Sequence, residues 1–234
     1  MIDFESFTHL SFDCYGTLVD WESGILSVVE PVLERHKAKA RSGELLRLFA
    51  KHEAKQEAKH YRPYRAVLRN VMAGIAAEVR FLPIDRDLDA LADSVGDWPL
   101  FEDTADSLRA LATRYELVVL SNVDDDLFAE TRQALGVDFA EVVTAQQTES
   151  YKPHPAHFHT ALDRLGIDCG DMLHVAQSLY HDHVPAKALG FTTIWVNRPS
   201  YRRGSGATVT AEETPDLEVS DLGSLVDAMG IERQ

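Results

Sequence analysis

The stretch that most constrains this chain is Leu10-Ser11-Phe12-Asp13-Cys14-Tyr15-Gly16-Thr17. Phe7, Leu10 and Phe12 suit a buried strand, and Gly16 permits a positive φ that a residue with a Cβ resists. One acidic side chain, Asp13, is thereby carried to the end of a strand and held just before a turn. Ligands of open parallel α/β sheets bind beyond the carboxyl ends of the strands. Asp13 is therefore the first candidate for chemistry.

Later segments repeat the pattern of an apolar run with a polar end. Leu117–Leu120 runs into Ser121-Asn122, and a short strand at Val142–Ala145 precedes Tyr151-Lys152-Pro153. Met172–Ala176 ends in Gln177-Ser178, with Asp182 four residues past Ser178, and Thr192–Val196 ends in Asn197-Arg198. Helical spacing over Ala105–Thr113 and Pro155–Leu165 separates these runs. Another helix opens near Asp124, Asp125 and Asp126, where acidic side chains suit an N-terminus. Strands alternating with helices predict a parallel sheet whose strand ends share one face. Residues 199–216 read as an exposed loop, followed by a short strand near Leu217 and a helix ending by Gly230.

Residues 20–99 break the alternation. Ile25, Val28, Val29, Val32 and Leu33 recur at helical spacing, Leu45, Leu46, Leu48 and Phe49 open a second helix after Ser42-Gly43, and a third begins near Pro63. Leu18–Trp21 and Pro99–Asp103 read as hinges. The chain then divides into an α/β core, 1–19 with 100–234, and a helical insertion, 20–99. Residues 34–69 hold 11 of the 23 basic residues against four acids, a local charge of +7 in a chain of net −15. Lys51, Lys55 and Lys59 share one helix face. Arg62, Arg65 and Arg69 share another if Arg62 joins the helical turn, and guanidinium forks bind carboxylates well. Such a segment predicts either steering of a small anion into a cleft or a solvated face laced with ion pairs.

Composition narrows the function classes. The excess of acids argues against nucleic acid as a partner, and no apolar run reaches the roughly 18 residues of a membrane span. Met1–Phe7 lacks the basic and apolar regions of a signal peptide, so a cytoplasmic location is expected. Cys14 and Cys169 form no disulfide framework and are expected to be reduced. The histidines at 154, 157, 159, 181 and 183 match no zinc spacing and read as helix-surface residues. No metal site is expected.

These motifs resemble those of the haloacid dehalogenase superfamily. Asp13 stands where its members carry a nucleophile, Ser121-Asn122 matches the second motif, Lys152 the third, and Ala176-Gln177-Ser178 with Asp182 the fourth. The resemblance implies a Rossmann-like, doubly wound parallel sheet with the insertion as a helical cap domain. Phosphatases of the superfamily carry a second Asp, the general acid, where Tyr15 stands, and an acidic Mg²⁺ ligand where Gln177 stands. Losing a positioned acid alone costs about 10² to 10⁴ in rate, whereas a halide leaves without protonation.

Both departures resemble the L-2-haloacid dehalogenase branch. That branch implies attack by Asp13 on a small anionic 2-haloacid, an aspartyl ester, and hydrolysis assisted by Asp182 and Lys152 with no cofactor. Ser121 and Asn122 would hold the substrate carboxylate or an oxyanion, Thr17 and Ser178 would support by hydrogen bonds, and Tyr15 and Trp21 would wall the halogen. The branch's cap arginine falls near Ala50 here, which leaves Arg62, Arg65 or Arg69 as substitutes. The resemblance also suggests a homodimer. Alternatives are a Mg²⁺-dependent phosphatase of a small metabolite and a non-catalytic binder of an anion.

Overall fold

The computed structural model describes residues 2–198 and 207–232. Much of the predicted loop, residues 199–206, lies outside the described residues. Six parallel strands form one sheet: β1 (His9–Phe12), β2 (Glu116–Ser121), β3 (Glu141–Thr144), β4 (Met172–Ala176), β5 (Thr192–Val196) and β6 (Leu217–Val219), in the order β3-β2-β1-β4-β5-β6. The first strand to form in sequence is thus central, and the winding reverses beside it. That reversal leaves a crevice at the carboxyl ends of β1, β2 and β4.

Both faces of the sheet are buried, as a parallel sheet requires. Leu10, Phe12, Leu117, Val119, Leu173 and Val175 point into one core, while Val118, Leu120 and Met172 point into the other. The second core is closed by Phe158 and Ala161 of one helix and Ala186 of another. Phe7 lies just outside β1, half-buried against the first core. Ser11 alternates onto the second face, where its hydroxyl pairs with Nδ1 of its cross-strand neighbour His174 at 2.8 Å.

Between β1 and β2 the chain builds the helical cap. Its main helices are α1 (Trp21–Arg35), α2 (Ser42–Glu57) and α3 (Tyr64–Val79), followed by the short α4 (Asp85–Asp89) and a 3₁₀ segment, Ala92–Asp97. Asp20 caps α1, accepting from the Ser23 amide and hydroxyl. Gly24 lets α1 approach Trp98, because a Cβ there would lie 2.3 Å from the indole.

The two predicted hinges run side by side. Val19 pairs with Leu100, the Asp20 amide donates to the Pro99 carbonyl, and the Phe101 amide donates to the Leu18 carbonyl. Arg198, at the end of β5, donates to the Thr17 carbonyl and to Asp103, with its guanidinium 4.1 Å from the Phe101 ring centroid.

The remaining helices are α5 (Thr104–Leu111), α6 (Asp125–Leu135), α7 (Ala145–Thr148), α8 (Ala156–Leu165), α9 (Val184–Ala188) and α10 (Leu222–Ala228). A single π-turn, Leu179–His183, leads into α9. Among the described residues no helix is long and apolar enough to cross a membrane.

Asp124, Asp125 and Asp126 stand at the start of α6, as expected, but the Asp124 carboxylate turns to the cap: it accepts from the Tyr64 and Arg65 amides at 2.8 and 2.9 Å, capping α3 across the cap–core boundary. One expectation is corrected. His157 and His183 are fully buried rather than on helix surfaces, and each donates through Nε2 to a strand-end carbonyl, Ser121 and Ala176 respectively.

Candidate active site

Asp13, Lys152 and Asp182 meet in a buried cluster at the crevice, 7, 1 and 0 % exposed. Lys152 Nζ donates to Asp13 Oδ1 at 2.9 Å, to Asp182 Oδ1 at 2.6 Å and to the Leu120 carbonyl at 2.8 Å. All three ammonium protons are therefore committed. Thr17 Oγ1 donates to Asp13 Oδ2 at 2.8 Å and accepts from the Gln177 amide, tying the turn after β1 to the end of β4. Gly16, at φ +99°, makes that turn possible.

The electrostatics follow from one ammonium shared by two carboxylates. Burial works against charge on Lys152, but the two carboxylates outweigh it and raise its pKa. Burial likewise opposes Asp182, yet Lys152 and His174 hold its carboxyl far below the usual range. Asp13 is left with the smaller share. Burial and the Asp182 charge raise its pKa against the pull of Lys152 and Thr17, which makes Asp13 the more basic of the two carboxylates. Asp182 Oδ2 is buried without a hydrogen-bond partner.

The cavity at this cluster has a volume of about 30 Å³, room for roughly two waters. Ser121 and Ser178 line it, and Ser121 Oγ is buried with no partner. Asn122 also lines it, but its side chain is engaged: Oδ1 accepts from the Lys152 amide at 2.7 Å and Nδ2 donates to the Lys152 carbonyl. Its placement is that of a clamp on the lysine segment. Tyr15 and Trp21 contribute aromatic walls, packed edge-on against Trp98 and Phe49. The Tyr15 hydroxyl is spent on Thr131 at 2.9 Å, and burial pushes its pKa well up, so it is no acid.

The arginine row is not brought to the cavity. Pro63 is extended and α3 begins only at Tyr64, so Arg62 stays outside the helix that carries the other two. Arg65 pairs with Asp126 and Asp93, and Arg69 with Asp85 and Asp89. Lys51, Lys55 and Lys59 are exposed. Arg65 and Arg69 are thus ion-paired at the surface, whereas Arg62 Nε is buried without a hydrogen-bond partner.

What the cap does contribute was not anticipated. Glu53 and Glu57 of α2, Tyr64 of α3, and His181 and Thr208 from the core line the cavity. Glu53 is buried and accepts from Tyr64 Oη at 2.6 Å. Burial pushes its pKa up to about 8, and burial with the neighbouring Glu53 raises Glu57 well above its ordinary value. A signal existed: Phe49, Glu53 and Glu57 are four apart, so two acids continue an apolar helix stripe.

A buried aspartate at the end of a central parallel strand, bridged by a lysine to a second aspartate beneath a helical cap, defines a hydrolase with an α/β core. A family model for haloacid dehalogenase-like hydrolases matches residues 7–190, and the chain belongs to that family. Haloacetate dehalogenase H-2 of Moraxella sp. (strain B) is 27% identical over 134 residues, 56% of this chain and 57% of that protein. This chain thus aligns with little more than half of that relative's length. Phosphoglycolate phosphatase of Shigella dysenteriae serotype 1 is 26% identical over 246 residues, 99% of this chain and 96% of that protein. In fold, the L-2-haloacid dehalogenase of Xanthobacter autotrophicus with covalently bound chloropropionic acid superposes with a TM-score of 0.80 at 21% identity, over 96% of this chain and 98% of that one.

Proposed function

We propose that the protein is a hydrolytic dehalogenase of small 2-haloacids that works through an ester on Asp13 and without a metal. The observation that carries this is the Lys152 ammonium bridging Asp13 and Asp182, with no acid two residues after Asp13. Asp13 attacks the halogen-bearing carbon, a C–O bond forms, and the halide leaves with the C–halogen electron pair. Water then adds to the ester carbonyl of Asp13. Asp182 Oδ2, ionised and unpartnered, is the acceptor available to orient that water. One water proton ends on the hydroxyl of the product, the other passes to solvent, and the Asp13 carboxylate is restored. Lys152 balances the charge that returns to Asp13.

The donors round Asp13 do not suit Mg²⁺, which demands close to octahedral oxygen coordination. Gln177 offers a neutral amide, in place of a carboxylate, whose oxygen accepts from Thr208 Oγ1. The phosphatase reading is favoured by the full-length likeness to phosphoglycolate phosphatase.

One experiment separates the two. Halide release from chloroacetate, fluoroacetate and L-2-chloropropionate is measured beside p-nitrophenyl phosphate hydrolysis, each with Mg²⁺ and with EDTA. EDTA-resistant halide release that is abolished in Asp13→Asn is expected. Phosphate release that requires Mg²⁺, with no halide release, would overturn the assignment.

A further inference from the structure

Five carboxyl or cationic side chains line the cavity, and only one of them is a cation. Lys152 cannot serve Glu53 or Glu57, because its three protons go to Asp13, Asp182 and the Leu120 carbonyl. Glu53 accepts from the neutral Tyr64 hydroxyl, and Glu57 from the Asn122 amide at 3.5 Å. His181 Nε2 stands 3.6 Å from Glu57, but burial lowers its pKa to about 4 and leaves it neutral at physiological pH. Two buried carboxyl groups therefore face the cavity with no cationic group of the described residues within hydrogen-bond distance, an arrangement that is costly unless a partner arrives or a proton is taken up. Burial raises the pKa of both, and an arriving cation would reverse that rise.

A second observation points to a ligand in the same space. Ser121 and Asp182 line the cavity, and their Oγ and Oδ2 atoms are buried with no hydrogen-bond partner; buried polar atoms are rarely left so. We infer that Glu53 and Glu57 form a subsite for a protonated amine, and that the substrate is a small 2-haloacid carrying an ammonium group as well as its carboxylate. The ammonium N–H groups would donate to the two glutamates of α2. The hydroxyl of Ser121, on the core side, would donate to the carboxylate. This rests on the reading of Asp13 as the group that displaces halide, and it names which haloacids that group meets.

The test uses the intact protein and two pairs of compounds. Calorimetry compares 3-amino-2-hydroxypropionate, the hydroxy acid expected as an amino-bearing product, with lactate. Halide release compares 3-amino-2-chloropropionate with 2-chloropropionate. The amino compounds are expected to be preferred by about tenfold or more in Kd and in kcat/KM. The ratio should fall towards one in Glu57→Gln and in Glu53→Gln, the latter keeping an oxygen for the Tyr64 hydroxyl, with thermal melts confirming that both fold.

Lactate binding as tightly as the amino compound in the wild-type protein would overturn the subsite without reference to any variant. So would a preference that survives in both variants. Turnover of 2-chloropropionate without an amine preference would sink the subsite and leave dehalogenation standing. An amine preference in calorimetry with no halide released from any compound would support the subsite and sink dehalogenation.

Discussion

Lys152 is the residue on which the site's electrostatics turn, since one ammonium neutralises two buried carboxylates. Replacing it with Met leaves Asp13 and Asp182 uncompensated, which typically costs about 3 to 5 kcal/mol of stability. Denaturant unfolding should show that loss, and halide release should fall by at least about 10² as the charge on Asp13 loses its partner. A Lys152→Met protein as stable and as active as the wild type would contradict the role given to the bridge. Asp13 was legible from sequence because it follows an apolar run that suits a strand, whereas Lys152 and Asp182 were singled out by the resemblance of their motifs to those of the family. Glu53 and Glu57 were not, because acidic residues in a basic helical segment look like the solvated half of ion pairs. The ion pairs of Arg65 and Arg69 were hidden for the complementary reason: their acidic partners, Asp85, Asp89, Asp93 and Asp126, lie in other elements, and a charge count along the chain does not reveal them.

Between elements, the ties that hold the crevice together are polar as well as apolar. His157 on α8 and His183 at the start of α9 donate to carbonyls at the ends of β2 and β4. Burial lowers their pKa values to about 3 and about 4. The unfolded chain takes up these protons first, below about pH 6.5, so the stability held by the neutral imidazoles is complete above that pH and declines as pH falls towards 4. The slope is at most about 1.4 kcal/mol per pH unit for each histidine. Glu53 and Glu57, with raised pKa values, act in the opposite sense over the same window, so the measurement is a difference: the Tm advantage of the wild type over His183→Gln should shrink between pH 7.5 and 4. A difference that stays constant across that range would refute the assignment. Strand positions were legible from sequence almost to the residue, since a run such as Met172–Ala176 is apolar at every position but His174. The histidines were not, because a helix with one polar residue on its buried face keeps a helical pattern whichever way that residue points.

At the scale of the whole molecule, the cavity of about 30 Å³ holds roughly two waters, so on the function proposed above a haloacid would enter with the cap moved away from the core. The Asp124 carboxylate resists that movement by holding the first two amides of α3. Asp124→Ala removes a helix cap, which costs about 1 to 2 kcal/mol, and it also removes a contact that joins the cap to the core. The variant is expected to melt at lower temperature and to show a lower KM where opening limits admission. A lower Tm with KM raised instead would mean that Asp124 shapes the closed site rather than restraining its opening.

At about 1 to 2 kcal/mol for the Asp124 cap, this contact alone leaves a receptive, parted form populated by roughly one molecule in 5 to 30. Observed affinity is then the intrinsic affinity multiplied by that scarcity. Two substrates that fit the chamber equally well will share the same handicap, and selection for weaker or tighter binding can act on a carboxylate that never meets either of them.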